Sequence, residues 1–299
     1  MGLKNLITRM KNEGYVVKPL ENYLAGLSAV DSDRASNVNS PSSLGQCLRA
    51  RYYSRVGVEA DVNAVEPRTR RIFDNGTYTH IRLQNYLKKQ GMLLLDEVPV
   101  VSSAYKIQGH TDGILDLGSG ELAILEIKSI NSRGFQELKD AKPEHKIQGL
   151  IYAFCIENQR KWLKEHYKNQ LHFNLSTKER KEKYGKHFSY LQSGKHYSRE
   201  DKIKYQVGLQ MTIDNYLYTC EVPITKVVFL YENKDTQDLK EYVVDSSKKE
   251  SQDILKNTLD ECLYLNKCVL EEEVPKREGT SKSCNTCRWC NYKSTCWVV

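Results

Sequence analysis

The chain has 299 residues, of which 39% are hydrophobic and 28% charged, and its formal net charge is +7. This length corresponds to one large domain or two small ones, and this composition excludes a mostly disordered chain and a membrane-embedded one. The first residues lack the apolar core of a signal peptide, so we expect a cytoplasmic protein without a membrane partner.

Hydrophobic periodicity predicts a mixture of helices and strands without internal repeats. The predicted helices lie at residues 44–56, 70–90, 132–140, 143–166, 200–219 and 246–268. The predicted strands lie at residues 92–102, 105–117, 121–129, 224–231 and 239–244. Short turns containing serine and glycine join the first three strands, so we expect an antiparallel meander.

The positive charge is concentrated in one stretch of the chain. Between Arg160 and Lys204 there are thirteen basic and five acidic residues, a net charge of +8, so the rest of the chain nets −1. Seven aromatic residues are interleaved with these cations. Lysine and arginine attract phosphates of any sequence, and aromatic rings stack on unpaired bases. A solvated helical surface explains the charge equally well.

The run from Leu122 to Lys128 predicts a buried strand that ends in two charged side chains. Both faces of this strand are apolar until Glu126, and a buried carboxylate needs a cation beside it. Lys128 could be that cation, and so could a divalent metal if a second carboxylate converges. A hairpin through the turn at Gly118–Gly120 would place Asp112 beside Glu126. Taken alone, the pattern is more often an ion pair at the end of a strand.

Two predicted helices flank this strand unit and carry further polar candidates. His80 lies on the helix at 70–90, where a histidine can turn toward a metal. Gln148 and Tyr152 are four residues apart on the helix at 143–166 and therefore share a face. Each of these signals is weak when it stands alone.

Together, these residues resemble the PD-(D/E)XK nuclease superfamily in its RecB-like branch. They occur in the family's order, which in this sequence is His80, Asp112, Glu126, Lys128, Gln148 and Tyr152. The resemblance covers residues 40–155 and 220–299, and it leaves 157–218 as an insertion. No proline precedes Asp112, a position that varies among RecB-like members. The resemblance implies an α/β fold with a restriction-endonuclease-like core, in which helices flank a central mixed sheet.

The resemblance also implies a Mg²⁺- or Mn²⁺-dependent deoxyribonuclease. The implied metal ligands are His80, Asp112, Glu126 and the carbonyl group of Ile127. Carboxylates suit both ions, and the imidazole favours Mn²⁺.

The remaining catalytic roles implied by the resemblance belong to one lysine and one helix. Lys128 would offset charge on the scissile phosphate, and Gln148 and Tyr152 would support it. Gln206 and Gln210 have the same spacing on the helix at 200–219. They rank second for the glutamine role, because that helix lacks the tyrosine and the Pro-Glu-His that precedes Gln148.

The nine cysteines do not suggest a disulfide framework, because their number is odd and the expected compartment is reducing. Cys155, Cys220, Cys262 and Cys268 have apolar or helical neighbours, and we expect them to be buried.

The other cysteines predict a metal centre. Four lie within thirteen residues near the C-terminus, at Cys284, Cys287, Cys290 and Cys296. Such crowding favours an iron–sulfur cluster over zinc, whose sites usually separate two Cys-x-x-Cys hooks by a dozen or more residues. The spacing from Cys287 onward resembles that of the CRISPR-adaptation iron–sulfur exonucleases and their phage relatives, which take a further ligand from far upstream.

This second resemblance implies a 4Fe–4S cluster, with Cys284 as a spare residue. The implied ligands are Cys47, Cys287, Cys290 and Cys296. Alternatively, Cys284 replaces Cys47, or the four tail cysteines hold zinc.

The expected organisation has a helical iron–sulfur subdomain formed by both chain ends and a basic helical insertion in the core. The expected segments are 1–66, which contributes one cluster cysteine, 67–156 as nuclease core, 157–219 as insertion, 220–270 as late strand pair and helix, and 271–299 as cysteine-rich tail.

The expected activity is exonucleolytic cleavage of single-stranded or end-containing DNA in a bacterial or phage-infected cell. The expected DNA contacts in the insertion are Lys178, Arg180, Lys181, Lys183, Tyr184 and Phe188. The alternative is a non-catalytic nucleic-acid-binding protein that keeps the nuclease fold and a structural iron–sulfur or zinc site.

Overall fold

The computed structural model describes residues 15–27, 37–61, 65–118, 120–166, 210, 213–214 and 216–298. The described residues fall into two compact units. The first unit takes its residues from 1–38, 46–82 and 265–299, and the second from 39–45 and 83–264.

Five of the predicted helices agree with the structure to within a few residues at each end, and most of the helix predicted at 200–219 lies outside the described residues. The described helices are α1 (Val17–Gly26), α2 (Leu48–Arg55), α3 (Pro67–Lys89), α4 (Ser132–Glu137), α5 (Pro143–His166), α6 (Lys249–Leu270), α7 (Asn285–Arg288) and α8 (Lys293–Cys296). Helix α2 begins four residues later than predicted. Pro41–Ser43 forms a separate 3₁₀ turn, and Cys47 has extended backbone angles (φ −49°, ψ 129°) at the N-cap.

The second unit is an α/β structure built on a five-stranded mixed sheet. Its strands are β1 (Leu93–Ser102), β2 (Ile107–Asp116), β3 (Leu122–Ile130), β4 (Ile224–Asn233) and β5 (Leu239–Asp245), in the spatial order β1-β2-β3-β4-β5. The first three strands form the predicted antiparallel meander. Strand β4 is parallel to β3 and antiparallel to β5.

Strand β3 lies at the centre of the sheet and is covered on both faces. Its residues are buried from Leu122 to Ile127 and become partly exposed at Lys128. Ile124 belongs to a large apolar cluster with the residues of α5, whereas Leu125 belongs to a smaller cluster on the other face. Since alternate residues share a face, Glu126 and Lys128 lie on the α5 side of the sheet.

Helix α5 approaches the sheet closely because one of its residues has no side chain. A Cβ atom built on Gly149 would lie 2.6 Å from Val227 Cγ1 and 2.7 Å from Phe229 Cζ on β4. The glycine therefore allows the helix backbone to rest against β4, which sets the height of the neighbouring Gln148 above the sheet.

The first unit joins the segment around α2 to the C-terminal tail. Tyr52, Tyr53, Leu265, Cys268 and Cys296 form its apolar cluster. Polar contacts tie the same segments together. Arg55 Nη1 donates to Asn266 Oδ1 (2.7 Å), and the backbone amide of Asp61 donates to the carbonyl of Asn291 (2.6 Å). Within the described ranges, none of the helices is both long and apolar enough to cross a membrane.

Candidate active site and cysteine cavity

The β2–β3 hairpin brings two carboxylates side by side. The register pairs Gly113 with Leu125, so the next position along each strand places Asp112 opposite Glu126. Asp112 Oδ2 accepts a hydrogen bond from the backbone amide of Ile127 (2.6 Å). This bond fixes the Asp112 carboxylate against the end of β3.

Lys128 supplies the cation that the buried Glu126 requires. Glu126 is 3% exposed, and its Oε1 lies 2.6 Å from Lys128 Nζ. Lys128 Nζ also donates to Gln148 Oε1 on α5 (2.9 Å). The ammonium group is therefore held from two sides, by the strand that carries it and by the facing helix.

Helix α5 completes a continuous chain of hydrogen bonds. Gln148 and Tyr152 lie one turn apart, and Gln148 Nε2 donates to the Tyr152 hydroxyl oxygen (2.9 Å). Burial, followed by the negative charges of Glu126 and Asp112, raises the pKa of Tyr152 well above its usual range. Tyr152 therefore stays protonated, and it orients the Gln148 amide with its oxygen toward Lys128.

Sequence reasoning missed a third carboxylate beside this pair. The β1–β2 register pairs Asp96 with Gly113 and Val98 with Thr111, so Glu97 lies beside Asp112. Glu97 has a left-handed backbone (φ 49°), which is uncommon for a residue other than glycine. Glu97, Asp112 and Glu126 thus follow one another across three adjacent strands. The predicted strand at 92–102 already contains Glu97, but strand propensity gives no signal for the left-handed backbone that positions it.

Gln84, near the end of α3, links two of these strands. Its Nε2 donates to Glu97 Oε1 (2.8 Å) and to the carbonyl oxygen of Asp112 (2.9 Å). Gln84 is 4% exposed, so this side chain is a buried clamp and not a surface contact. Nothing in the local sequence pattern distinguishes it from other polar residues of α3.

A second residue that sequence reasoning left without a role is His145. Its Nδ1 lies 2.7 Å from the Tyr231 hydroxyl, which also accepts from the backbone amide of Lys142 (3.1 Å). Burial, and then the positive charges of Lys128 and Lys142, lower the pKa of His145 to about 3. A neutral imidazole therefore stands close to the Lys128 ammonium group.

Other predicted site residues are described separately. His80 is half-buried on α3, in the part of that helix that belongs to the first unit. Gln206 lies outside the described residues, and Gln210 Nε2 donates to Asp214 Oδ1 (2.6 Å). The predicted DNA contacts also lie outside the described residues, namely Lys178, Arg180, Lys181, Lys183, Tyr184 and Phe188.

The carboxylates suit a hard divalent cation that needs few protein ligands. In the described part of the chain, no three His, Cys, Asp or Glu side chains form a group that could hold one metal ion. Mg²⁺ commonly uses only one or two carboxylates, and waters and substrate phosphates complete its shell. Asp112 and Glu126, with the Ile127 carbonyl at the same strand end, fit this donor set.

Four cysteines of the first unit line a common small cavity, here called the cysteine cavity. They are Cys47, Cys287, Cys290 and Cys296, and Cys284 is not among the lining residues. The backbone amide of Tyr292 donates to Cys290 Sγ (3.4 Å), and Arg49 Nη1 donates to Cys296 Sγ (3.8 Å). Two of the four sulfur atoms that line the cavity therefore have a hydrogen-bond donor.

The backbone beside this cavity also has to be a glycine. A Cβ atom on Gly279 would lie 2.1 Å from Cys287 Sγ. Cys284 has a different environment, since hydrogen bonds with the backbone at Ser281 and Cys287 lower the pKa of its thiol to about 7. Burial instead raises the pKa of Cys47.

The remaining cysteines are mostly core residues, as predicted. Cys155, Cys262 and Cys268 are buried. Cys220 is half-buried, and its thiol donates to the carbonyl of Val222 (3.3 Å). The prediction of full burial is therefore wrong for Cys220 alone, which lies beyond the end of the described helical turn at 216–219.

Comparison with known proteins places the chain in no family. No family model and no curated protein matches it. Among solved structures, the chain is similar to the crystal structure of SSO0001, with 15% sequence identity and a TM-score of 0.44. The alignment covers 95% of this chain and 97% of that chain.

Proposed function

We propose that this protein is a metal-dependent DNA nuclease of the RecB-like PD-(D/E)XK type, acting as an exonuclease on single-stranded or end-containing DNA. The observation that carries the proposal is the connected set of side chains around β3. Asp112 and Glu126 lie side by side, and Glu126 contacts Lys128, which is bonded to Gln148 and through it to Tyr152. This set has the order of residues that the family uses.

In this proposal Asp112, Glu126 and the Ile127 carbonyl hold Mg²⁺ or Mn²⁺, and the implied ligand His80, which belongs to the first unit, stays a prediction of the sequence. The bound ion would supply Lewis acidity at the scissile phosphate and a more acidic water. The backbone amide of Ile127 holds the Asp112 carboxylate in place, so this carboxylate does not have to be ordered when the ion binds.

Lys128 would act on the phosphate itself. Its ammonium group is fixed between Glu126 Oε1 and Gln148 Oε1, at 2.6 and 2.9 Å. A preorganised cation stabilises the charge that develops on a phosphate without reorganising during the reaction, and losing one such group typically costs about 10²–10³ in rate. Gln148 and Tyr152 position Lys128 and do not need to touch the substrate.

A purely structural ion pair is a weaker explanation of the same contacts. Replacing a buried ion pair by apolar residues of similar volume is often neutral or stabilising. Glu126 is among the most buried charged groups of the sheet unit, so stability alone gives little reason to keep it. Folds that have lost nuclease activity normally lose a carboxylate or the lysine, and both are present here.

We further propose that Cys47, Cys287, Cys290 and Cys296 hold a 4Fe–4S cluster. Lining of a common cavity by these four thiols supports this proposal. The ligands come from residue 47 and from the last part of the chain, so the cluster would close nearly the whole chain into a loop. Such closure lowers the entropy of the unfolded chain.

The test incubates end-labelled single- and double-stranded DNA with the protein and Mg²⁺, Mn²⁺ or EDTA. The lengths of the cleavage products are measured on denaturing gels. We expect Glu126→Gln and Lys128→Met to lower the cleavage rate by about 10²–10³. Lys128→Met leaves the buried Glu126 carboxylate without its cation. The double variant Glu126→Gln/Lys128→Met removes both charges and keeps folding and activity separable.

Lys226→Met is the matched control. Lys226 also carries an ion pair on a central strand, with Glu121 at 2.7 Å, but it pairs with Ala123 at the opposite end of β3. This variant should cut DNA like the wild type. Wild-type activity in folded Glu126→Gln/Lys128→Met would refute the site assignment. If the wild type shows no metal-dependent cleavage, the non-catalytic DNA-binding alternative would stand in place of the nuclease.

A further inference from the structure

The C-terminal tail presents an exposed tryptophan beside a groove that the proposed cleavage chemistry does not use, although the proposed cluster ligand Cys290 also lines it. Trp289 is 85% exposed. The groove, here called the tail groove, encloses about 320 Å³ and is lined by Trp289, Lys282, Arg288 and Lys293, with Asp61 at one side. This volume lies within the range of about 300–1,000 Å³ that is typical of small-ligand sites, so one nucleotide would fit. All of these residues belong to the first unit.

The tail groove is positively charged. Asp61 is its one acidic lining residue, and its carboxylate already accepts the backbone amide of Ser294 (3.0 Å). Lys293 Nζ donates to the neutral carbonyl of Arg288 (3.0 Å), and the Lys293 charge also helps to lower the pKa of Asp61. Residues 276–298 contain five basic residues and one acidic residue. An anionic partner is therefore favoured over an apolar protein surface.

Backbone hydrogen bonds on either side of Trp289 anchor its main chain in the tail. Trp289 follows α7 directly, and the amide of Cys290 donates to the carbonyl of Cys287, which is 6% exposed (3.1 Å). The Arg288 guanidinium lies 5.8 Å from the centre of the Trp289 ring. Stacking on this ring would therefore have to order the side chain but not the main chain.

We propose that the tail groove binds a single strand of DNA, with one base stacked on Trp289 and the adjoining phosphates on Lys282, Arg288 and Lys293. An aromatic ring among cations is the arrangement that binds single strands without reading their sequence. Duplex DNA hides its base faces and would offer only phosphates. The inference takes DNA as the polymer from the proposed function, but binding here requires neither the carboxylates nor a metal ion.

The experiment measures binding of a fluorescein-labelled oligothymidylate in EDTA by fluorescence anisotropy, over a series of salt concentrations. Base stacking on an aromatic residue contributes enough for Trp289→Ala to weaken binding by about 5- to 150-fold. Trp289→Phe keeps a ring and should recover most of this loss. Lys282→Gln and Arg288→Gln should each reduce the salt slope by about 0.7.

Two variants of the same tail serve as controls. Val298→Ser changes a residue that is also 85% exposed but has no ring. Lys276→Gln removes an exposed cation that does not line the tail groove. Both should bind like the wild type. Thermal melting of each variant confirms that the first unit stays folded.

The remaining outcomes distinguish this inference from its alternatives. Wild-type affinity and salt slope in Trp289→Ala and Arg288→Gln would overturn the inference, whether or not the protein cuts DNA. Equal loss of duplex and single-strand binding would overturn the stacking role of Trp289. Tighter binding of oligouridylate than of oligothymidylate would overturn the choice of DNA. If the wild type does not cut DNA but binds it, and Trp289→Ala binds it more weakly, the nuclease proposal would be refuted and this inference supported.

Discussion

Replacing Gly149 by alanine tests whether contact between α5 and β4 holds the candidate site together. The added Cβ would lie 2.6 Å from Val227 Cγ1 and 2.7 Å from Phe229 Cζ. Both neighbours are fully buried, and Cβ atoms essentially never approach other atoms within 3.0 Å. Either α5 moves away from β4 or the Phe229 ring leaves its position.

The expected change in the stability of α5 follows from two opposing effects. Overpacking a filled core costs about 1–3 kcal/mol, whereas alanine is favoured over glycine inside a helix by about 1 kcal/mol. Gly149→Ala should therefore destabilise α5 by up to about 2 kcal/mol. Gly76 on α3 is the matched control, because a Cβ there would meet no atom within 4 Å. Gly76→Ala should stabilise its own helix by about 1 kcal/mol.

Amide hydrogen exchange is the suitable assay, because it reports the free energy of opening of each helix separately. We expect faster exchange in α5 for Gly149→Ala and slower exchange in α3 for Gly76→Ala. The DNA cleavage rate should also fall in Gly149→Ala, since Gln148 moves with the helix and loosens its bond to Lys128. Slower exchange of α5 in Gly149→Ala, like the slowing expected for α3 in Gly76→Ala, would refute the close approach of helix and sheet.

Three further predictions concern the surroundings of the two proposed sites. Between pH 6.5 and 4 the wild type should lose thermal stability faster than His145→Gln. In the unfolded chain His145 is protonated as the pH falls through about 6.5, whereas in the folded chain it stays neutral down to about 3, so acid favours unfolding. Equal slopes of Tm against pH in the two proteins would contradict this. Gln84→Leu should lower kcat more than it raises KM and cost about 1–3 kcal/mol of stability, because the buried Gln84 side chain donates two hydrogen bonds that are lost together. An unchanged kcat and Tm would show that the clamp is dispensable. Anaerobically purified Cys47→Ser should contain much less iron and sulfide than the wild type, whereas Cys284→Ser should match it; colourless wild-type protein with stoichiometric zinc would contradict the cluster.

The local elements of the sheet unit could be predicted because their signals lie within short stretches. Strand β3 is apolar on both faces up to Glu126, which indicates a central strand, and β3 is central. The turn at 118–120 determines the β2–β3 register, so the proximity of Asp112 and Glu126 follows from the sequence. Gln148 and Tyr152 share a helix face for the same local reason.

The contacts that join distant segments could not be predicted in this way. The sequence indicates that β4 is a strand but not that it runs parallel to β3, about a hundred residues earlier. The partner of His145 is Tyr231 on β4, so its role depends on that pairing. The position of Glu97 depends on a left-handed backbone within β1, which strand propensity does not encode.

The position of Lys128 shows how these distant contacts act on the proposed chemistry. Its bond to Glu126 is local, because the two residues are neighbours on one face of β3. Its bond to Gln148 exists only if α5 lies close to the sheet, and that distance depends on Gly149 against Val227 and Phe229. Strand β4, which carries both of those side chains, is placed by parallel pairing with β3 itself. A change at this contact should therefore alter the rate of cleavage before it alters the binding of metal, because it acts on the lysine and leaves the two carboxylates on their hairpin.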